Sequence, residues 1–252
     1  MLARRDRLAL QLQRWISWIN SFWFTGLFCL LFQFYAKYSC PTLATVRKKT
    51  RDALDAAGDR PVLICANHLT LIDSMIINWL MFSYVDYIRN WRRMPWNMPE
   101  LRNFSRNIPV RIMCYLGKCL YIERGGNVSG QRLTLEKFKQ LLQWRDLICI
   151  FPEGTRSRNG RIRGSMPTYS VGEICMQLPD TQVLCIYMRG LGQETYGSLP
   201  EKRESFYMDL ALIQPSHVSE GKRGAKEISL QIMEQLGQME DQFFNTAVAS
   251  ST

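Results

Sequence analysis

A histidine and an aspartate stand five residues apart in Asn67-His68-Leu69-Thr70-Leu71-Ile72-Asp73, and the chain has only one other histidine, His217. That pairing points to proton transfer. Histidine titrates near neutral pH, and a carboxylate that fixes its tautomer and stabilises the imidazolium makes it a general base for a hydroxyl nucleophile. In a regular helix positions i and i+5 face different ways, so the two side chains meet only if they straddle a strand-to-helix turn. The bland alternative is a loop histidine followed by an aspartate near a helix start. A second stretch, Phe151-Pro152-Glu153-Gly154-Thr155-Arg156-Ser157-Arg158, has the composition of a turn that exposes backbone N–H groups, with two guanidinium forks suited to phosphate oxygens. Its alternative is an ordinary turn with solvated arginines.

Each stretch follows a short apolar run, PVLICAN at 61–67 and DLICIF at 146–151. Such runs form buried strands in α/β sheets, so His68 is expected just beyond a strand's carboxyl end, where open α/β sheets place their ligands. Further strands are expected over 84–89, 119–123, 182–188 and 205–213. Helices are expected over 43–58, closed by Gly58, and over 74–82, 111–117, 131–144 and 168–178. At the C-terminus Ile228, Ile232, Leu236, Met239 and Phe243 make a helical stripe. The alternation predicts an α/β fold whose mixed, largely parallel central sheet is covered by helices.

The N-terminus has a different character. Trp15–Ala36 carries no charge and lies between Arg4, Arg5, Arg7 and Arg14 on one side and Lys37 on the other. It is long enough to cross a ~30 Å hydrocarbon core. Ser17, Asn20, Ser21, Thr25 and Gln33 dilute its apolarity, and Trp15, Trp18 and Trp23 are residues of the headgroup boundary. One span, or a pair of interfacial helices hinged near Asn20 to Gly26, both fit. The expected organisation is a membrane-anchoring helical segment over 1–40 and a catalytic domain over 41–252.

With 32 Lys and Arg against 22 Asp and Glu, the net charge is +10, which favours anionic partners. The eight cysteines include no CxxC and several sit inside apolar runs, as buried free thiols of a reducing compartment do. Two histidines without ligand spacing argue against a metal site. Arg89–Asn107 mixes arginines with Trp91 and Trp96, a combination suited to docking at an anionic leaflet or to contacts with single-stranded nucleic acid. The nucleic-acid reading leaves NHLTLID and the apolar N-terminus without a purpose, so no nucleic-acid partner is expected. A lipid hydrolase, with His68 activating water or a nucleophile, is a third class.

Taken together, NHLTLID and FPEGTRSR resemble the motifs of the glycerolipid acyltransferase superfamily, whose type members acylate lysophosphatidate. Asn67, His68 and Asp73 match its first motif, with Thr70 in place of serine, and Phe151–Ser157 match its third letter for letter. The second motif is recognisable in GKCLYIER, ending at Arg124, although Gly117 is one residue early and Tyr121 replaces phenylalanine. At the fourth, Cys185 stands where the family has proline. The resemblance covers roughly residues 40–215. It implies that His68 is the general base and Asp73 its orienting carboxylate, and that Arg124, Glu153, Gly154, Thr155 and Arg156 form the acceptor and thioester site. It also implies O-acylation of a lysophospholipid, by default 1-acylglycerol-3-phosphate, in phospholipid biosynthesis. Another lyso-lipid, glycerol phosphate or a lyso-aminolipid remains open as acceptor. The donor would be acyl-CoA or acyl-carrier protein, with no bound cofactor. No covalent acyl-enzyme is needed, which agrees with the lack of a G-x-S-x-G elbow. Reduced cysteines and a cytosolic donor place the expected catalytic face on the cytoplasmic side of the inner or plasma membrane.

Overall fold

In a computed structural model of the chain the two apolar runs become neighbouring strands, β1 (Val62–Ala66) and β3 (Ile148–Ile150), paired in parallel with Leu63 opposite Ile148. The structure describes residues 2–104, 107–122, 128–157, 159–162 and 167–249. The short edge strand β2 (Trp96–Asn97) pairs in parallel with β3, and β4 (Gln182–Gly190) pairs in parallel with β1. β5 (Phe206–Ile213) closes the other edge antiparallel to β4, giving the order β2-β3-β1-β4-β5. The sheet is thus mixed and mostly parallel.

Side chains alternate across the strands and divide the core into two layers. Val62, Ile64 and Ala66 of β1 join Leu184, Ile186 and Met188 of β4 in one apolar cluster, beneath α2 (Leu43–Ala57) and α3 (Asp73–Met81). Leu63 and Cys65 join Val183, Cys185 and Tyr187 in the other. That second face is covered by α7 (Val128–Gln143), α8 (Tyr169–Gln177) and α9 (Gly221–Ala249), which brings Ile228, Ile232, Leu236 and Met239 inward as the stripe requires. A sheet covered on both faces explains why its central strands read as continuous apolar runs.

Two expected strands are different in the structure. Residues 84–89 form a helix, α4 (Tyr84–Arg89), because Ser83 and Asp86 build a reciprocal capping box: Ser83 N–H donates to Asp86 Oδ2 (2.9 Å) and Asp86 N–H to Ser83 Oγ (3.2 Å). That cap outweighs the β-propensity of Tyr and Val. Of the expected 119–123 strand, the described residues 119–122 make isolated bridges at Cys119 and Ile122 and no ladder, while the strand beside β3 comes from Trp96–Asn97 inside the arginine-rich stretch. Two further helices, α5 (Leu101–Phe104) and α6 (Ile108–Leu116), lie between them.

The N-terminal segment is one continuous helix, α1 (Arg4–Leu30), extended by a wider π turn over Leu31–Tyr35, with no hinge at Asn20 to Gly26. By length and composition it is able to cross a membrane. Its polar residues face the protein: Gln13, Ser17, Ser21 and Thr25 are buried. Gln13 donates to the carbonyls of Tyr115 (3.3 Å) and Cys119 (3.0 Å), and Ser17 donates to that of Tyr115 (3.2 Å), locking α1 to α6. Arg14 grips Asp146 with two bonds (2.8 and 2.9 Å), and the Trp96 indole donates to the same carboxylate at 3.1 Å. Asp146 is fully buried. Removing one partner of such a pair leaves a buried charge uncompensated. Arg14→Ala is expected to cost about 3 kcal/mol or more, at the lower end of the buried-pair range because Arg14 keeps 17% exposure. Denaturant titration in mild detergent checks this, with Arg14→Lys expected to recover only part of the loss.

Candidate active site

β1 ends at Ala66, and Asn67 takes over its hydrogen bonding with a side chain. The carboxamide donates to Met188 O (2.9 Å) and accepts from Met188 N–H (2.8 Å), extending the ladder to β4 by one rung. His68 is thereby lifted out of the sheet at its carboxyl edge. The turn that follows winds around the Asp73 carboxylate, which opens α3. Its Oδ2 accepts from the Thr70 N–H (2.8 Å) and the Leu69 N–H, and its Oδ1 accepts from the Thr70 hydroxyl. The same Oδ2 lies 2.9 Å from His68 Nδ1. The five-residue spacing therefore closes across a strand-to-helix turn. A carboxylate oxygen accepts, so toward Asp73 the ring presents Nδ1–H and leaves the Nε2 lone pair for an incoming proton.

The FPEGTRS turn follows β3 and clamps this histidine from the other side. The Phe151 ring stacks on the imidazole, centroids 4.1 Å apart at 15°. Glu153 Oε1 accepts from His68 N–H (2.9 Å), and Ser157 N–H donates to His68 O (2.8 Å). The Ser157 hydroxyl donates to Glu153 Oε2. Oε1 of Glu153 thus holds the histidine loop and Oε2 holds Ser157 of its own turn, so that in this structure both oxygens are engaged by the protein. Burial pushes its carboxyl pKa up, opposed by the bonds from Ser157 and His68. Gly154 sits at φ +70°, and a β-carbon there would approach Thr168 Cγ2 to 2.6 Å, so the turn needs glycine.

Arg156 extends beside this turn. It donates to Gly197 O at 2.7 Å, and its guanidinium lies 5.3 Å from the Tyr196 ring centroid. The 191–200 loop is tied to the histidine loop as well, through Gly197 N–H to Leu69 O (3.0 Å) and Leu71 N–H to Ser198 O (3.1 Å). Arg124 and Arg158 lie outside the described residues. Asn67, Phe151 and Ser157 are letters of the two motifs whose roles only the contacts reveal, and nothing in the sequence marks Tyr196. Cys185 lies at mid-strand in β4, opposite Cys65 of β1 and Ala211 of β5, and burial pushes its thiol pKa up to about 12.

A cavity of about 640 Å³ opens beside the histidine. His68, Thr155, Arg156 and Tyr196 form its polar end, and Phe24 and Phe28 of α1, Met75 and Trp79 of α3 and Met113 of α6 make its apolar walls. A mostly apolar cavity next to a carboxylate-paired imidazole and a guanidinium suits a substrate with a polar head and an aliphatic tail. In the arginine- and tryptophan-rich stretch both indoles have partners within the protein. Trp96 is fully buried, and Trp91 lies between Arg14 (4.9 Å from its centroid) and the buried Lys118 (4.4 Å). Lys118 Nζ also donates to the Trp91 and Met94 carbonyls (2.8 and 2.9 Å), so this stretch is pinned to the core.

A family model described as Acyltransferase matches residues 44–189, a segment that holds His68, Asp73 and the whole FPEGTRS turn. No curated protein matches the chain.

Proposed function

The chain belongs to the acyltransferase family, within the glycerolipid acyltransferase superfamily, and from that premise we propose that it moves a fatty acyl chain from a thioester donor to the hydroxyl of a lysophospholipid, by preference 1-acylglycerol-3-phosphate. The observation that carries this reading is the His68–Asp73 pair at the polar end of a large apolar cavity. In the reaction, His68 Nε2 accepts the acceptor's hydroxyl proton as the alkoxide oxygen attacks the thioester carbonyl. Asp73 holds the ring and stabilises the imidazolium. Collapse of the tetrahedral adduct forms the ester, breaks the C–S bond, and returns the proton from Nε2 to the departing thiolate. Arg156 faces the acceptor phosphate, and the apolar recess takes the transferred chain.

Mass spectrometry of products from the purified full-length protein, given a panel of lyso-lipids with acyl-CoA and acyl-carrier protein donors, tests the reading. Phosphatidate from lysophosphatidate is the expected product. Free fatty acid without ester formation would make the protein a hydrolase.

The same reading places the enzyme on one leaflet at the cytoplasmic side. While its polar stripe docks on the protein, α1 turns Leu12, Trp15, Ile19, Trp23 and Leu27 outward, with Trp23 83% exposed. Ile108 and Ile112 of α6 and Val85 and Ile88 of α4 are exposed too, on helices that pack against α1. An apolar face of this extent on a basic protein matches an anionic lipid surface. The triple variant Leu12→Glu, Ile19→Glu, Trp23→Glu alters only exposed positions. It is expected to abolish co-flotation with anionic liposomes while leaving thermal stability in detergent within a few degrees. Retained flotation would rule out this face as the membrane contact.

A further inference from the structure

The wall of the cavity at the end of α6 carries two thiols. Cys114 and Cys119 both line it, and both are half-buried. They meet because of the way α6 ends. Gly117 caps the helix and Lys118 follows in the left-handed region at φ +56°, which turns the Cys119 N–H back to the Cys114 carbonyl at 2.9 Å. That is the backbone bond of a Schellman end, in which the side chains of these two positions come into contact. With such a bond, standard backbone lengths keep the two Cα atoms within about 6.8 Å of each other, the span a disulfide can bridge. The turn itself is anchored by the Lys118 ammonium, which donates to the Trp91 and Met94 carbonyls.

The two sulfurs are unequal. The Cys119 S–H has the Cys114 sulfur and, at 3.7 Å, the Gly117 carbonyl as acceptors. Donation from Cys119 holds the Cys114 thiol down to about 7 against its burial, with the Tyr121 hydroxyl adding a second bond. The same contact, together with burial, pushes Cys119 well up. Near neutral pH about half of Cys114 is therefore thiolate, the nucleophilic form, beside a thiol that stays protonated. A reachable thiolate next to a second thiol is the arrangement that peroxides oxidise. The other six cysteines offer less. Cys65 has Cys185 opposite it in the β1–β4 pairing, yet both are fully buried, and burial pushes their thiols up, as it does those of Cys149, Cys175 and Cys29. Cys40 is not in the cavity lining.

We infer that Cys114 and Cys119 are a modification site for a hydroperoxide, closing to a disulfide while the cavity is empty and shielded when an acyl chain fills it. The Cys114 thiolate attacks one peroxide oxygen, forming an S–O bond as the O–O bond breaks, and the other oxygen leaves as water after taking up a proton. Cys119 then attacks the sulfenic sulfur. The S–S bond forms, the S–O bond breaks, and the departing hydroxide leaves as water with the Cys119 proton. Two thiols are oxidised, one peroxide is reduced to two waters, and a dithiol reductant reverses the bond. Closure of the pair depends on the thiols alone, whereas the shielding rests on the acyl-transfer reading of the cavity.

Full-length protein in lipid nanodiscs is treated with hydrogen peroxide, quenched by alkylation, cut with trypsin and mapped by mass spectrometry. Trypsin cleaves at Lys118, between the two cysteines, so closure joins two peptides with the loss of two hydrogens. The joined pair is expected to form about five- to ten-fold faster than Cys29 or Cys40 is oxidised, in line with its thiolate fraction, and dithiothreitol should restore both thiols. Cys119→Ser should stop at a sulfenic acid on Cys114 that dimedone traps, and Cys114→Ser should leave Cys119 reduced at the same dose. Palmitic acid at about ten times its Kd leaves roughly a tenth of the cavities empty, so it is expected to slow closure about ten-fold and leave Cys40 unaffected. A pair that stays reduced while other cysteines oxidise overturns the proposal, and the wild-type map shows this without either variant. Equal closure rates with palmitate demonstrably bound overturn it as well. If palmitate does not bind, the acyl reading of the cavity fails by itself, and the map of the fatty-acid-free protein still decides the site: preferential closure supports it, and a reduced pair overturns it.

Discussion

His68→Ala is expected to lower acyl transfer by about 10²- to 10⁴-fold, the usual worth of a positioned general base, with the fold and membrane attachment unchanged. The geometry makes the loss specific to chemistry. Among the described residues the His68 side chain bonds to Asp73 alone and stacks on Phe151, and the clamps from Glu153 and Ser157 hold its backbone, which alanine retains. Asp73→Asn should approach the same loss by another route. A carboxamide at Oδ2 has to accept from Leu69 N–H, Thr70 N–H and the His68 ring at once, and a flipped amide would present N–H groups to donors. It therefore favours the wrong tautomer of His68 and loosens the turn as well, so Asp73→Asn is also expected to melt earlier, whereas His68→Ala is not. Single-turnover rates and melting temperatures measured side by side separate the two effects. Near-wild-type transfer by His68→Ala would eliminate the mechanism.

Arg156→Ala is expected to reduce kcat/KM for a phosphorylated acceptor by about ten- to two-hundred-fold, since a charge-assisted bond contributes ~1.5–3 kcal/mol. Arg156 already spends one N–H on Gly197 O, so a merely structural role, tying down the 191–200 loop, has to be distinguished from phosphate binding. The dephosphorylated acceptor does this: loss confined to the phosphorylated one assigns the guanidinium to phosphate, and equal loss on both assigns it to the loop. Arg156→Lys should rescue only in part, because it keeps the charge and loses the fork. By resemblance to the second motif Arg124→Ala is expected to behave alike.

The candidate site was legible in the chain because its parts are local. His68, Asp73 and the FPEGTRS turn lie within two short segments, each behind a buried-strand run whose continuous apolarity announces a sheet covered on both faces. Helices α2, α7, α8 and α9 were readable for a similar reason, a 3.6-residue stripe being a property of neighbours along one strand of chain. The 84–89 segment failed that way of reading because Tyr, Val and Ile favour strands on average, and the Ser83–Asp86 cap decided otherwise.

What tertiary structure alone decided involves residues far apart in sequence, whose meeting no spacing encodes. The direction in which Glu153 turns follows from the β1–β3 pairing that sets the two motifs side by side, and it gives this residue a hold on the histidine backbone that the sequence does not announce. The orientation of α1 is a second case. Its polar residues read as a dilution of an apolar span, and in the fold Gln13 and Ser17 dock on the carbonyls of Tyr115 and Cys119, while Ser21 and Thr25 bond carbonyls of α1 itself, because buried polar groups need partners. Arg14 and Asp146, and the cavity that draws its walls from α1, α3, β2 and α6, belong to the same class. Hydrophobic periodicity records which face of an element is buried, and the identity of the surface it meets is set only when the whole chain has folded.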